Sequence, residues 1–312
     1  MIKHLYRLTA LLLCLLLLTG CVSSPAQTTA STKPTEDKPI LPNITLPASK
    51  KELKVHFIDV GQADCALLEC NGSFALIDGG YPETAQLVLA FLAQRGVKKL
   101  DLVVASHPHG DHIGGLPEIM ERVKVDTVWS SAMTYYNSYV GEFQRAVTAQ
   151  KLEVQYPRIG DTFELGGAVL TVLGPVRTDY EDTNDVSLVI RVQYGDVRFL
   201  FTGDMEYAAE TDLLDSGADV QADVLKVGHH GSYSSSGYHF LREVKAKYAV
   251  ISCGAANEYG HPHDETLSRL QDAEITIYRT DRMYTITATT DGESISFDWI
   301  NRYARPWVPK AA

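Results

Sequence analysis

The chain has few cysteines, little positive charge and, beyond its first 18 residues, no long hydrophobic run. It carries five cysteines, and none of them forms a C-x-x-C pair or another Cys/His spacing of a structural metal site. Cys14 and Cys21 fall in the apolar N-terminus, leaving Cys65, Cys70 and Cys253. An odd number excludes a fully paired disulfide framework, so these three read as buried small hydrophobes. After Leu18 nothing approaches the roughly 18 apolar residues of a membrane-spanning helix, so no polytopic membrane portion is present. No repeat period occurs. Lys and Arg number 28 against 39 Asp and Glu, a formal charge of -11, which argues against a broad basic nucleic-acid footprint. A polyanionic ligand has to be met by something other than a basic surface.

What is there begins with an export signal. Lys3 and Arg7 form a basic stretch ahead of the short apolar run Leu8 to Leu18, which ends in Leu18-Thr19-Gly20-Cys21. That ending resembles the bacterial lipobox. The resemblance implies lipidation of Cys21 and a protein exported and held at the cell membrane, facing outside the cytoplasm. Residues 1–21 are the expected signal. Residues 22–50, rich in Ser, Thr and Pro with almost no large apolar side chains, are the expected flexible tether. Residues 51–300 are long enough for one α/β domain with a full core, and 301–312 form a C-terminal tail.

From Lys54 onward short β-rich runs alternate with amphipathic helical segments. Strands are expected at Val55–Asp59, Cys65–Glu69, Phe74–Asp78, Leu102–Ala105, Val125–Trp129, Val169–Leu173, Ser187–Val192 and Val197–Thr202. Further strands follow at Val224–Val227, Tyr248–Ser252, Ile275–Tyr278, Tyr284–Thr289 and Ser294–Phe297. Helices are expected over Glu83–Gln94, Glu206–Asp215 and Asp264–Asp272. Interleaved strands and helices of this kind suggest two sheets covered by helices.

Ser106-His107-Pro108-His109-Gly110-Asp111-His112 follows directly on the apolar strand Leu102–Ala105. Three imidazoles and a carboxylate would be hard to satisfy together in a core, whereas metal ions explain the cluster. His107 and His109 can project the same way, and Asp111 and His112 fall past the turn, within reach of a second ion. Imidazole and carboxylate suit zinc or manganese. The segment resembles the His-x-His-x-Asp-His signature of the metallo-β-lactamase superfamily. That resemblance implies a four-layer αββα sandwich with two divalent ions, His107 and His109 on one and Asp111 and His112 on the other.

Three more strand ends carry matching groups. Asp204, closing Phe199-Leu200-Phe201-Thr202-Gly203, is similar to the family's metal-bridging aspartate. In Gly228-His229-His230-Gly231-Ser232 one histidine completes the first site. Alternation along a strand points the two rings to opposite sides, and His229 is expected as ligand with His230 as acid/base group. His261, in Tyr259-Gly260-His261-Pro262-His263, is expected on the second ion.

Five segments occur in order: Asp59-Val60-Gly61-Gln62-Ala63-Asp64, Thr183-Asn184-Asp185-Val186-Ser187, Thr-Gly-Asp, Lys-Val-Gly-His-His-Gly-Ser and Tyr-Gly-His-Pro. Together they resemble the extracellular domain of the ComEC competence-channel family, from about Lys54 to Phe297. Ala63 departs from the glycine usual there. A histidine common between the first motif and the bridging aspartate in the wider superfamily is missing, with Asn184 in that region. The resemblance implies a phosphodiesterase or nuclease acting on DNA, with Asp111 and His230 at the chemistry. Alternatives are a hydrolase of phosphorylcholine or small esters, and a metal-stabilised binding protein. Asp59, Asp64, Asp78, Asn184, Ser187, Ser232 and His263 are expected to orient ligands or touch substrate, with Glu206 a weaker candidate. Protein partners are not indicated.

Overall fold

A computed structural model describes residues 51–131 and 137–309. The signal, Cys21 and the tether lie outside the described residues. The described residues hold fifteen strands, in order: β1 Leu53–Phe57, β2 Ala66–Cys70, β3 Ser73–Ile77, β4 Lys99–Ala105, β5 Lys124–Ser130, β6 Val154–Gln155, β7 Thr162–Leu165, β8 Ala168–Gly174. The rest are β9 Val189–Tyr194, β10 Val197–Phe201, β11 Val224–Lys226, β12 Tyr248–Ile251, β13 Thr276–Arg279, β14 Ile286–Thr290 and β15 Ile295–Trp299.

They form two sheets, one ordered β15-β14-β1-β2-β3-β4-β5-β6 and one ordered β13-β12-β11-β10-β9-β8-β7. Phe57, Leu68, Leu102, Leu170, Phe199 and Val224 fill the space between them. The outer face of the first sheet packs Leu67, Leu76, Val103 and Val128 against three helices: α1 Ala85–Gln94, α3 Leu116–Arg122 and α4 Ser138–Ala149. A short turn of helix, α2 Gly110–Ile113, precedes α3. Leu200, Leu225 and Ala249 of the second sheet pack against α5 Tyr207–Asp215, α6 Tyr238–Val244 and α7 Asp264–Asp272. This is the αββα sandwich expected from the sequence, and Cys65, Cys70 and Cys253 are free and buried within it. Among the described residues no helix is long and apolar enough to cross a membrane.

Most expected elements are present with bounds moved by a residue or two. One shift matters for the site. Ser187 and Leu188 precede β9 rather than belonging to it, and Thr183–Val186 forms a 3₁₀ turn. The segment set apart as a tail returns to the sheet at Trp307, whose N–H and C=O both pair with Ile277 of β13.

Candidate metal centre

Parallel pairing of β3 with β4 and of β10, β11 and β12 brings the C-terminal ends of these strands to one edge of the sandwich. Every singled-out polar segment leaves a strand there. The loop after β4 is stitched down by backbone bonds: Gly79 N–H to His112 O and Gly115 N–H to Gly80 O, both 2.7 Å, and Asp64 N–H to Asp111 O at 3.1 Å. A side chain at Gly115 would collide with the Gly79 carbonyl oxygen. Gly203, at φ +51°, lets the chain turn so that Asp204 faces this loop, its N–H donating to Ser187 Oγ at 3.0 Å.

Asp204 is the hub. Its Oδ1 lies 3.2 Å from His112 Nε2, and its Oδ2 lies 3.6 Å from His230 Nε2 and 3.8 Å from both His107 Nε2 and His229 Nε2. Asp111 Oδ2 approaches His230 Nε2 at 3.1 Å and His112 Nε2 at 3.8 Å. Asp111, His112, Asp204 and His230 each offer one ligand atom within 4.8 Å of the others. Tetrahedral ligands with bonds of about 2.0–2.1 Å sit roughly 3.3 Å from one another, which is the spacing found here. His112 Nε2 and Asp204 Oδ1 are buried and have no hydrogen-bond partner among the described residues. Buried polar atoms left open at ligand spacing fit a cation between them.

His107 and His109 form a second focus. His107 Nε2 is 3.0 Å from His109 Nδ1, and His109 Nε2 is 2.7 Å from Thr183 Oγ1. A donor bond to Thr183 leaves His109 Nδ1 free to serve beside His107 Nε2. Burial, with charge from His112, holds His107 well below the usual imidazole range. Burial also opposes charge on His112 and His230, but the carboxylates around them prevail. Asp204, Asp111 and Asp78 push His112 well up, and Asp204, Asp64 and the Asp111 contact push His230 to about 10. These carboxylates demand positive charge, which a divalent ion supplies.

The two adjacent histidines sit differently from what strand alternation predicts. Gly228–Gly231 is a 3₁₀ turn, with His229 and His230 at φ 45° and 52°. Alternation does not operate in such a turn, and left-handed backbone at two successive non-glycine residues is a strain found at functional sites. His230 enters the four-residue cluster. His229 instead places Nδ1 2.8 Å from Glu206 Oε1, which also accepts from Ser234 Oγ at 2.6 Å. His261 lies outside the cluster, Nδ1 3.0 Å from Gln62 Nε2, its ring 5.5 Å from that of His229 and 6.3 Å from that of His230. Burial and the neighbouring imidazoles lower it to about 4.

The remaining candidates divide into supports and turns. Asp78 accepts from Ser106 N–H and Oγ and faces His112 Nδ1 at 2.9 Å, fixing both the loop and the ring. Ser187 holds Asp204. Asn184 is buried, with Nδ2 3.5 Å from Glu206 Oε1. Ser232 Oγ meets Ser234 Oγ, and His263 Nδ1 accepts from Tyr233 N–H. Asp59 caps its own turn at Gly61. Two residues were missed, Thr183 and Lys226. Lys226 Nζ forms a buried ion pair with Asp64 Oδ2 at 2.8 Å, and its sequence signal is a lysine inside the apolar run Val224-Leu225-Lys226-Val227.

A candidate metal centre of this kind, on strand ends between two sheets, is the arrangement of a metallo-β-lactamase fold. The family profile described as the metallo-beta-lactamase superfamily matches residues 58–255, and the chain belongs to that superfamily. Within it the chain is similar to ComEC-family competence proteins. It is 29% identical to ComE operon protein 3 of Bacillus subtilis over 77% of this chain and 33% of that protein. It is 30% identical to competence protein ComA of Neisseria gonorrhoeae over 74% and 31%. The chain thus spans about a third of these relatives. Among solved structures, the fold protein YhfI of Bacillus subtilis matches with a TM-score of 0.51 at 15% identity, over 74% of this chain and 96% of that one.

Proposed function

We propose that the chain is an exported, lipid-anchored phosphodiesterase with two divalent ions, zinc or manganese, acting on DNA. The observation that carries this reading is the close set of Asp111, His112, Asp204 and His230, each offering a ligand atom within 4.8 Å of the others, with His107 Nε2 also facing Asp204. His107, His109 and Asp204 would hold one ion, and Asp111, His112, His230 and Asp204 the other. Bound there, the ions would supply Lewis acidity for attack of water on phosphorus and screen charge on its oxygens. The protein's own part is positioning and proton transfer. Asp78 and Thr183 fix the rings of His112 and His109. His229, partly exposed and backed by Glu206, carries a proton at Nε2 toward the leaving oxygen. The competence relatives support DNA as substrate. Exposed Tyr233 and Tyr259 beside the site give bases a surface to stack on, since the chain offers little positive charge to phosphate.

A second reading, hydrolysis of a cationic headgroup such as phosphorylcholine, draws on the same tyrosines with Glu206. Assaying metal-loaded protein on single-stranded DNA, bis-p-nitrophenyl phosphate and a phosphorylcholine ester separates the two. Hydrolysis of neither phosphodiester would overturn the first. Anchoring at Cys21 is tested by Cys21→Ala, which should release the protein from the membrane fraction with its catalytic rate intact.

A further inference from the structure

Lys226 ends the interior strand β11, and its side chain points into the space between the sheets, as that of Val224 does two residues earlier. It is almost wholly buried, and Nζ is bound to Asp64 Oδ2 and to the Val227 carbonyl, both at 2.8 Å. Asp64 comes from the loop between β1 and β2 of the other sheet. Its second oxygen, Oδ1, is buried, makes no hydrogen bond among the described residues, and lies 3.3 Å from His230 Nδ1. That nitrogen donates instead to the carbonyl of Ser252, at 3.0 Å. Two acceptors therefore compete for one N–H on the far side of a proposed metal ligand. The weaker acceptor, a neutral carbonyl, holds it, and the carboxylate stands aside with a lysine bound to its other oxygen.

We propose that Lys226 is a positioning residue of the metal centre: by binding Asp64 it keeps the carboxylate from capturing His230 Nδ1–H, and so sets how strongly His230 donates to its ion. A carboxylate partner on the outer nitrogen makes a ligating imidazole more basic, and changes to such partners shift metal affinity about 10–100-fold. Without the ammonium, Asp64 is an uncompensated charge whose nearest available proton is the one on His230. His230 then binds its ion more tightly, and the ion polarises substrate less. The inference rests on the reading that Asp111, His112, Asp204 and His230 hold a metal.

The test uses cobalt(II) as probe in the full-length protein, reading visible ligand-field absorption, cobalt affinity by competition with a chelator, and turnover. Lys226→Met is expected to shift the spectrum, tighten cobalt about tenfold or more and slow turnover. The double variant Lys226→Met with Asp64→Asn has no charge to restrain, so spectrum and affinity should return to those of the parent. A merely structural lysine would give no such return. A parental spectrum and affinity in a folded single variant would overturn the proposal, as would a double variant that stays altered. Should that single variant fail to fold, Lys226→Gln takes its place and is read by the same criteria. A parent protein that binds no cobalt removes the metal reading itself, and this proposal with it.

Discussion

Nδ1 of His229 lies 2.8 Å from Glu206 Oε1, a contact its neighbour His230 does not share. It fixes the His229 ring from behind while Nε2 stays directed at the site. His229→Ala should therefore leave the metal content unchanged and lower the rate by about 10²–10⁴-fold, the usual range for loss of a general acid. The deficit should shrink with a p-nitrophenyl leaving group, which needs no proton. His230→Ala should deplete metal. Metal analysis and rates of both variants check this, and the opposite pattern of depletion would return the ligand role to His229.

Two ions per chain are expected after loading with zinc or manganese. Bound at 100 times their dissociation constant, each should stabilise the fold by about 2.7 kcal/mol, so a chelator should lower the thermal midpoint measurably. A stoichiometry near zero would rule out the dinuclear centre.

Gly115 passes directly over the Gly79 carbonyl. Gly115→Ala should destabilise the fold by about 1–3 kcal/mol through overpacking and, because it pushes the ligand loop away from Asp78, lower metal occupancy as well. Denaturant titration with metal analysis tests both effects. Full occupancy in a destabilised variant would show that the loop holds its shape without this contact.

Glu210 provides a pH dependence away from the ligands. Burial raises its carboxyl to about 7 from 4.5, although it accepts the N–H groups of Ser236 and Gly237. The folded state therefore holds this proton more tightly than the unfolded chain. Its contribution to stability is full below pH 4.5 and is lost as pH rises toward 7, a fall of about 3 kcal/mol. Glu210→Gln should remove that fall while adding a constant offset for one mismatched N–H. Parallel stability curves for parent and variant from pH 5 to 8 would contradict the assignment.

The fold was legible because strand and helix periodicities are clean where both sheet faces are buried. Asp264–Asp272 matches its expected bounds. Helix α4 was missed although Val140, Phe143 and Val147 share a face and Asn137 caps Val140 N–H, since its apolar positions are thinly spread among polar ones. The cluster His107 to His112 declared itself because so many polar groups at a strand end have no cheap alternative to metal. The pairing of His229 and His230 was not legible. It depends on two left-handed residues, which no hydrophobic pattern encodes. Thr183 reaches His109 across 74 positions of the chain, and Lys226 reaches Asp64 from the other sheet, so both approach the site only through the fold.

Strand β1 has β2 on one side and β14 on the other, with His56 and Thr287 touching across 231 positions of the chain. During synthesis β1 must wait for β14, more than two hundred residues later, before its second edge is covered. Pairing so distant is slow, because loop closure precedes any gain from contact. Through that interval β1 offers an open row of N–H and C=O groups to any other extended chain. A product truncated before Ile286 would keep every proposed metal ligand yet never close that edge, and aggregation rather than lost chemistry would be its failing.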